Sequence, residues 1–144
     1  MKKPKLVMVG NGMAGVRTLE ELLKIAPDLY DITVFGAEPH PNYNRILLSP
    51  VLAGEQTIDE IILNDWQWYA DNHITLHTGF TVTDVDRVRR IVHATSATGE
   101  TITAEYDRLI MATGSNPFIL PIPGKELQGV LAYRDIADTQ AMID

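Results

Sequence analysis

An α/β fold, built on a parallel sheet with helices and carrying a small antiparallel β-meander, is predicted by three features of the sequence. An apolar run, Lys5-Leu6-Val7-Met8-Val9, opens directly into Gly10-Asn11-Gly12-Met13-Ala14-Gly15. The apolar period then changes from that of a strand to that of a helix, and back to a strand at residues 31–35. Further along, short strand-like runs separated by polar turns fill residues 74–104.

Taken in order, the first run is short, partly β-branched and apolar at successive positions, which suits a parallel strand buried on both faces. In the next segment Val16, Leu19, Leu22, Leu23 and Ala26 recur at three- and four-residue spacing, so one helical face is apolar. Glu20 and Lys24 are spaced for a surface ion pair, and Pro27 stops the helix. Asp31-Ile32-Thr33-Val34-Phe35 completes a βαβ unit and runs into Gly36-Ala37-Glu38. A long excursion follows, with turn residues at Pro39, Pro41, Pro50 and Gly54 around Ile46-Leu47-Leu48. Asn64 or Asp65 is placed to cap a helix on which Trp66 and Tyr69 share a face and pack into a core or interface.

Strands are then expected at residues 74–77, 80–85, 91–95 and 101–104, the last three forming an antiparallel meander. Residues 109–111 read as a returning central strand, with the small residues Ala112-Thr113-Gly114 at its C-terminal edge. Such an edge is where open α/β sheets bind ligands, although a plain strand-and-turn reading stands equally beside it. Residues 118–124 are proline-rich and extended, and a helical pattern begins after Tyr133.

The turn at residues 10–15 has definite chemistry. Gly10 permits a tight strand-to-helix turn, Gly12 allows the backbone to approach a pyrophosphate, and Gly15 lets helix and strand pack closely. The helix start offers unpaired N–H groups and a positive dipole end. An acid about 20 positions on is expected to hold ribose hydroxyls, and Glu38 is the candidate. By itself this turn does not separate NAD from FAD.

Composition narrows the rest. At 144 residues the chain has the length of about one domain. Its 12 Lys+Arg against 19 Asp+Glu give a net charge of −7, which opposes nucleic-acid binding. No apolar run approaches the ~20 residues needed to span a bilayer, and the start does not read as a signal peptide. With no cysteine, these residues carry no disulfide, cysteine-ligated metal or redox dithiol. That fits a cytoplasmic location without requiring one. His40, His73, His77 and His93 lack metal-ligand spacing, because residues 74–76 look extended. Asp84 and Asp86 flank a turn and do not suggest a catalytic pair, and Gly124-Lys125 lacks the rest of a P-loop.

The pairing of Gly10-x-Gly12-x-x-Gly15 with Tyr106-Asp-x-Leu-Ile-x-Ala-Thr-Gly114 resembles the pyridine nucleotide–disulfide oxidoreductase family of FAD enzymes. More narrowly, residues 9–16, 32–35, 41–49 and 63–66 resemble the start of the large subunits of assimilatory NAD(P)H-dependent nitrite reductases, across essentially the whole chain. The resemblance implies a Rossmann-like FAD/NAD(P)-binding fold, present here as an incomplete domain. Gly10, Gly12 and Gly15, with the backbone of Met13 and Ala14, would then hold the FAD pyrophosphate. Glu38 would hold the adenosine ribose, although many relatives place that acid where this chain has Ala37. Arg45 would run beside the flavin, the backbone of Val82 would contact adenine, and Ala112, Thr113 and Gly114 would form the second flavin motif. Relatives often carry a lysine after Leu-Ser, where this chain has Pro50.

The same resemblance implies a first segment of the FAD domain over 1–117, then a linker and the start of an NAD(P)H-binding domain over 118–144. The expected partners are FAD and the remaining domains of a parent chain, with a homodimer left open and no nucleic acid or membrane. Iron–sulfur and siroheme groups would lie downstream, in a parent that passes electrons from NAD(P)H through FAD to metal centres and reduces nitrite to ammonia. No residue of this segment is expected to be catalytic or to bind a metal. An NADH-dependent rubredoxin or ferredoxin reductase, or a non-catalytic dinucleotide-binding module, are the alternatives.

Overall fold

A computed structural model describes residues 2–144. Along the chain run β1 (Lys5–Val9), α1 (Met13–Ile25) and β2 (Asp31–Gly36), then a 3₁₀ turn (Arg45–Leu47) and α2 (Leu48–Leu52). A second 3₁₀ turn (Asp59–Ile61) and α3 (Trp66–Asp71) follow. The remaining elements are β3 (Thr75–Thr78), β4 (Phe80–Asp86), β5 (Ile91–Ser96), β6 (Thr101–Glu105), β7 (Arg108–Met111) and α4 (Ile136–Ile143). The residues fall into two compact units, one holding the described residues up to Tyr43 with Leu63–Gly114, the other Asn44–Ile62 with Ser115–Asp144.

In the first unit a four-stranded sheet runs β3-β2-β1-β7, and every pairing is parallel. β1 is central, with Val9 opposite Phe35 on one side and Met111 on the other. Its continuous apolar run has a direct cause: successive side chains point to opposite faces, and both faces are covered. Leu6 and Met8 join Val16 and Leu19 of α1, Ile32 and Val34 of β2, Tyr69 and Ile74 in one core. Val7 and Val9 join Phe35, Val92 and Ala94 in the other, closed by Phe80, Val82 and Ile102. The meander, an antiparallel sheet in the order β4-β5-β6, thus supplies the second covering layer.

Four details differ from the sequence reading. Lys24 pairs with Glu21 at 2.8 Å instead of Glu20, because Glu20 is taken by Arg17 at 3.0 Å and by the side chain of Asn64 at 3.2 Å. Trp66 is 53% exposed whereas Tyr69 is 2% exposed, so the two do not share a packed face; Trp68 packs edge-on against Tyr69 instead. Asp84 lies inside β4, and only Asp86 serves the following turn, accepting from the N–H groups of Val88 and Arg89. β7 is an edge strand of this sheet, not a central one, and Met111 at its end is exposed.

In the second unit α2 packs on α4, burying Leu48 and Val51 of one and Ile136 and Thr139 of the other. Asp135 caps α4 by accepting from the Asp138 N–H (2.8 Å), while the Asp138 carboxylate accepts from Asp135 N–H (3.3 Å). This reciprocal pair satisfies two groups that a helix start leaves open. Residues 118–123 are neither helix nor strand, and Phe118, Leu120 and Ile122 are exposed. No helix among the described residues is long and apolar enough to cross a membrane.

Candidate dinucleotide site

The turn between β1 and α1 shows that its three glycines are needed for three different reasons. Gly10 has φ +107°, a conformation that L side chains rarely adopt. Its N–H donates to the Phe35 carbonyl at 2.8 Å, and a Cβ built on it would overlap the carbonyl oxygen of Ala112. Gly15 is buried, and a Cβ there would lie 2.9 Å from Ala112 Cβ and 3.0 Å from Met8 Sδ. Gly10 and Gly15 are therefore fixed by the protein's own packing.

Gly12 is not. It caps α1 in ordinary extended backbone, φ −90° and ψ −177°, and a Cβ built on it meets nothing within 4 Å. The protein leaves open the space such a side chain would take. α1 has no side-chain cap and no acid in its first turn, so its leading N–H groups meet no capping carboxylate or hydroxyl. Open space beside an uncapped, dipole-positive helix start suits an anion approaching the backbone, as a pyrophosphate does.

The structure brings Ala112 to this turn. Its N–H donates to Val9 carbonyl at 2.8 Å, extending the β1–β7 ladder one residue beyond β7. Thr113 and Gly114 follow, both exposed, with Gly114 at φ +72°. Residues 10–15 and 112–114 therefore meet at the C-terminal edge of the parallel strands. Glu38 stands beyond the end of β2, half-buried. Its carboxylate accepts from the buried Tyr43 hydroxyl at 2.6 Å, and its carbonyl accepts from the Gly79 N–H at 3.2 Å. Ala37 is exposed. Val82 lies on β4, an outer strand of the meander, where the pairing register with β5 shifts between Val82 and Asp84. Arg45 belongs to the second unit, where its guanidinium donates to the Arg134 carbonyl at 3.1 Å. Among the described residues no group of three or more His, Asp or Glu is arranged to hold a metal ion.

Sequence reasoning missed five residues around the turn. Gly36 is one, since a Cβ on it would lie 2.9 Å from Asn11 Cβ. The others form a polar path. Tyr69 donates its O–H to Asn11 Oδ1 (2.7 Å) and accepts from the Asn42 N–H (3.2 Å). Asn42 donates to Asn64 Oδ1 at 2.9 Å. Burial pushes the Tyr69 hydroxyl up to about 12, so it stays a neutral donor. No spacing rule links positions 11, 42, 64 and 69; the one signal in the sequence is the tyrosine itself, whose hydroxyl needs a partner once buried.

A parallel sheet with a glycine turn, an uncapped helix start and a small-residue strand edge meeting at one end defines a dinucleotide-binding α/β protein. The chain belongs to the pyridine nucleotide-disulphide oxidoreductase family, whose profile matches residues 4–144. It is 57% identical over 143 residues to a nitrite reductase [NAD(P)H] of Bacillus subtilis, covering 99% of this chain and 17% of the relative. It is 51% identical over 144 residues to the assimilatory nitrate reductase electron transfer subunit of the same organism, covering all of this chain and 18% of that one. The chain thus spans about a sixth of the length of these relatives. Among solved structures it is similar to the NADH:rubredoxin oxidoreductase of Clostridium acetobutylicum, with TM-score 0.82, 26% identity, and coverage of 99% of this chain and 35% of that chain.

Proposed function

We propose that this chain is the first flavin-binding segment of an NAD(P)H-dependent oxidoreductase of the nitrite reductase kind. The observation that carries the nucleotide part is Gly12, open on the side where a Cβ would stand, at the uncapped start of α1. The reductase part is supported by 57% identity across 99% of the chain to a protein named for nitrite reduction.

In this reading Gly10, Gly12, Met13, Ala14 and Gly15 hold the pyrophosphate of FAD through backbone N–H groups and the helix dipole. Glu38 takes the adenosine ribose and the Val82 backbone takes adenine. Ala112, Thr113, Gly114 and Arg45 serve the flavin end. Residues 1–117 form the first segment of the flavin domain, and 118–144 lead toward an NAD(P)H-binding domain. Bound FAD supplies two-electron exchange with a nicotinamide nucleotide and one-electron exchange with metal centres. Those centres, iron–sulfur and siroheme, belong to the rest of the parent protein, since these residues contain no cysteine. This chain's part is to bind and orient.

The test uses the full-length protein. Purified, it is yellow, releases FAD on denaturation, and oxidises NADH or NADPH with nitrite as acceptor. A colourless protein that takes up no added FAD refutes the flavin reading. A second reading, an NADH-dependent rubredoxin or ferredoxin reductase, draws on the similarity to the Clostridium enzyme. It predicts a yellow protein that reduces rubredoxin or ferredoxin and ignores nitrite.

A further inference from the structure

We propose that Tyr69 and Asn11 are positioning residues for the nucleotide: the Tyr69 hydroxyl holds the Asn11 side chain so that the Gly10–Gly12 turn is already set for the pyrophosphate. The inference rests on the flavin reading above.

Asn11 is the one residue with a side chain in a turn flanked by two glycines. Glycines have the most backbone freedom to lose, so the turn has no side-chain anchor other than Asn11. That anchor is held on three sides. Its Oδ1 accepts from the Tyr69 O–H at 2.7 Å, and its Nδ2 donates to the His40 carbonyl at 3.3 Å. Its Cβ rests against Gly36, where any side chain would crowd it.

Tyr69 is held in turn. It is 2% exposed, in the core against Leu6, Met8 and Leu19, and its oxygen accepts from the Asn42 N–H at 3.2 Å. Asn42 donates to Asn64, and Asn64 donates to Glu20 on α1 at 3.2 Å. The path therefore leaves α1, passes through the segment after β2 and through α3, and returns to the turn that precedes α1. Asn42 Oδ1 is buried with no hydrogen-bond partner. A polar set carrying such an unsatisfied atom is a poor way to gain stability. What it does supply is a single fixed geometry for the turn, which lowers the ordering cost of binding.

The test is made in the full-length protein freed of flavin, with FAD affinity read by fluorescence quenching and apo-protein melting measured in parallel. The forms compared are wild type, Tyr69→Phe, Asn11→Ala and the double variant. Each single variant is expected to raise the FAD Kd about tenfold, the effect of losing one well-placed hydrogen bond. The double variant is expected to bind no more weakly than the worse single variant, because both remove the same link. Should Tyr69→Phe not fold, the Asn11→Ala affinity decides alone. A purely structural role lowers the melting temperature and leaves the Kd within about twofold, which overturns the inference. Independent, multiplying effects in the double variant overturn it too. If wild type binds no FAD, the flavin reading falls and takes this inference with it; if wild type binds and the variants bind as tightly, only the inference falls.

Discussion

The methyl group of Ala112 occupies the space that a side chain on Gly15 would need, with only 2.9 Å between Ala112 Cβ and a Cβ built on Gly15. Two glycine-containing motifs far apart in sequence are therefore one packing unit: the helix start, the end of β1 and the residue after β7 close on each other.

That contact predicts a coupled pair. Gly15→Ala overpacks the junction and should destabilise the protein by about 1–3 kcal/mol. Ala112→Gly should recover part of that loss when combined with it, since it removes the opposing methyl. Urea unfolding of the two single variants and the double variant measures the coupling. Strict additivity would show that the clash is relieved elsewhere, for instance by Met8.

Gly10 and Gly12 should separate folding from binding. Gly12→Val places its Cβ where nothing lies within 4 Å, on permitted backbone, so melting should change by no more than the loss of a helix cap, about 1 kcal/mol. FAD binding should be abolished. Gly10→Ala has neither permitted φ nor space, and should yield little folded protein. A Gly12→Val protein with wild-type FAD affinity would refute the assigned phosphate turn.

His77 makes stability depend on pH. Its ring stacks on Phe35 at 5.1 Å and meets Phe80 edge-on at 5.9 Å, and burial lowers its pKa. The unfolded chain then binds the proton first, at about 6.5. Stability should be full above that value and decline as pH falls from there toward the folded-state pKa. Denaturant midpoints between pH 8 and 5 should fall less in His77→Gln than in wild type. Parallel pH profiles would exclude His77 as the cause.

Asp65 caps α3 by accepting from the Trp68 N–H at 2.9 Å. Asp65→Ala should cost about 1 kcal/mol of stability, measurable by thermal or urea unfolding. Because α3 carries Tyr69, faster hydrogen exchange in this helix should accompany the loss.

Much of the fold was legible because the signals were local. The run at Lys5–Val9, the glycine turn and the helical period after it describe consecutive residues, and each became the expected element. The meander was legible for the same reason, from alternation and polar turns. What misled was pairing that depends on third parties. Glu20 and Lys24 have the right spacing, yet Arg17 and Asn64 take Glu20. Leu109–Met111 looks like a central strand by composition, yet among these residues it has a neighbour on one side only.

By itself the sequence determined the parallel βαβ start, the glycine-rich turn after β1 and the lack of cysteine, because each follows from residue type at short range. Only the tertiary structure decided what presses on each glycine: a Cβ on Gly10 or Gly15 would meet neighbouring atoms, whereas one on Gly12 would meet none within 4 Å. Their order in the motif suggests different roles, but the atoms that crowd Gly10 and Gly15 belong to Ala112 and Met8, brought up by strand pairing and helix packing. The tertiary structure likewise decided that Asn11 is held and Tyr69 holds it. Hydrogen bonds between residues 58 positions apart leave no periodic trace in a chain, since they depend on where the backbone returns.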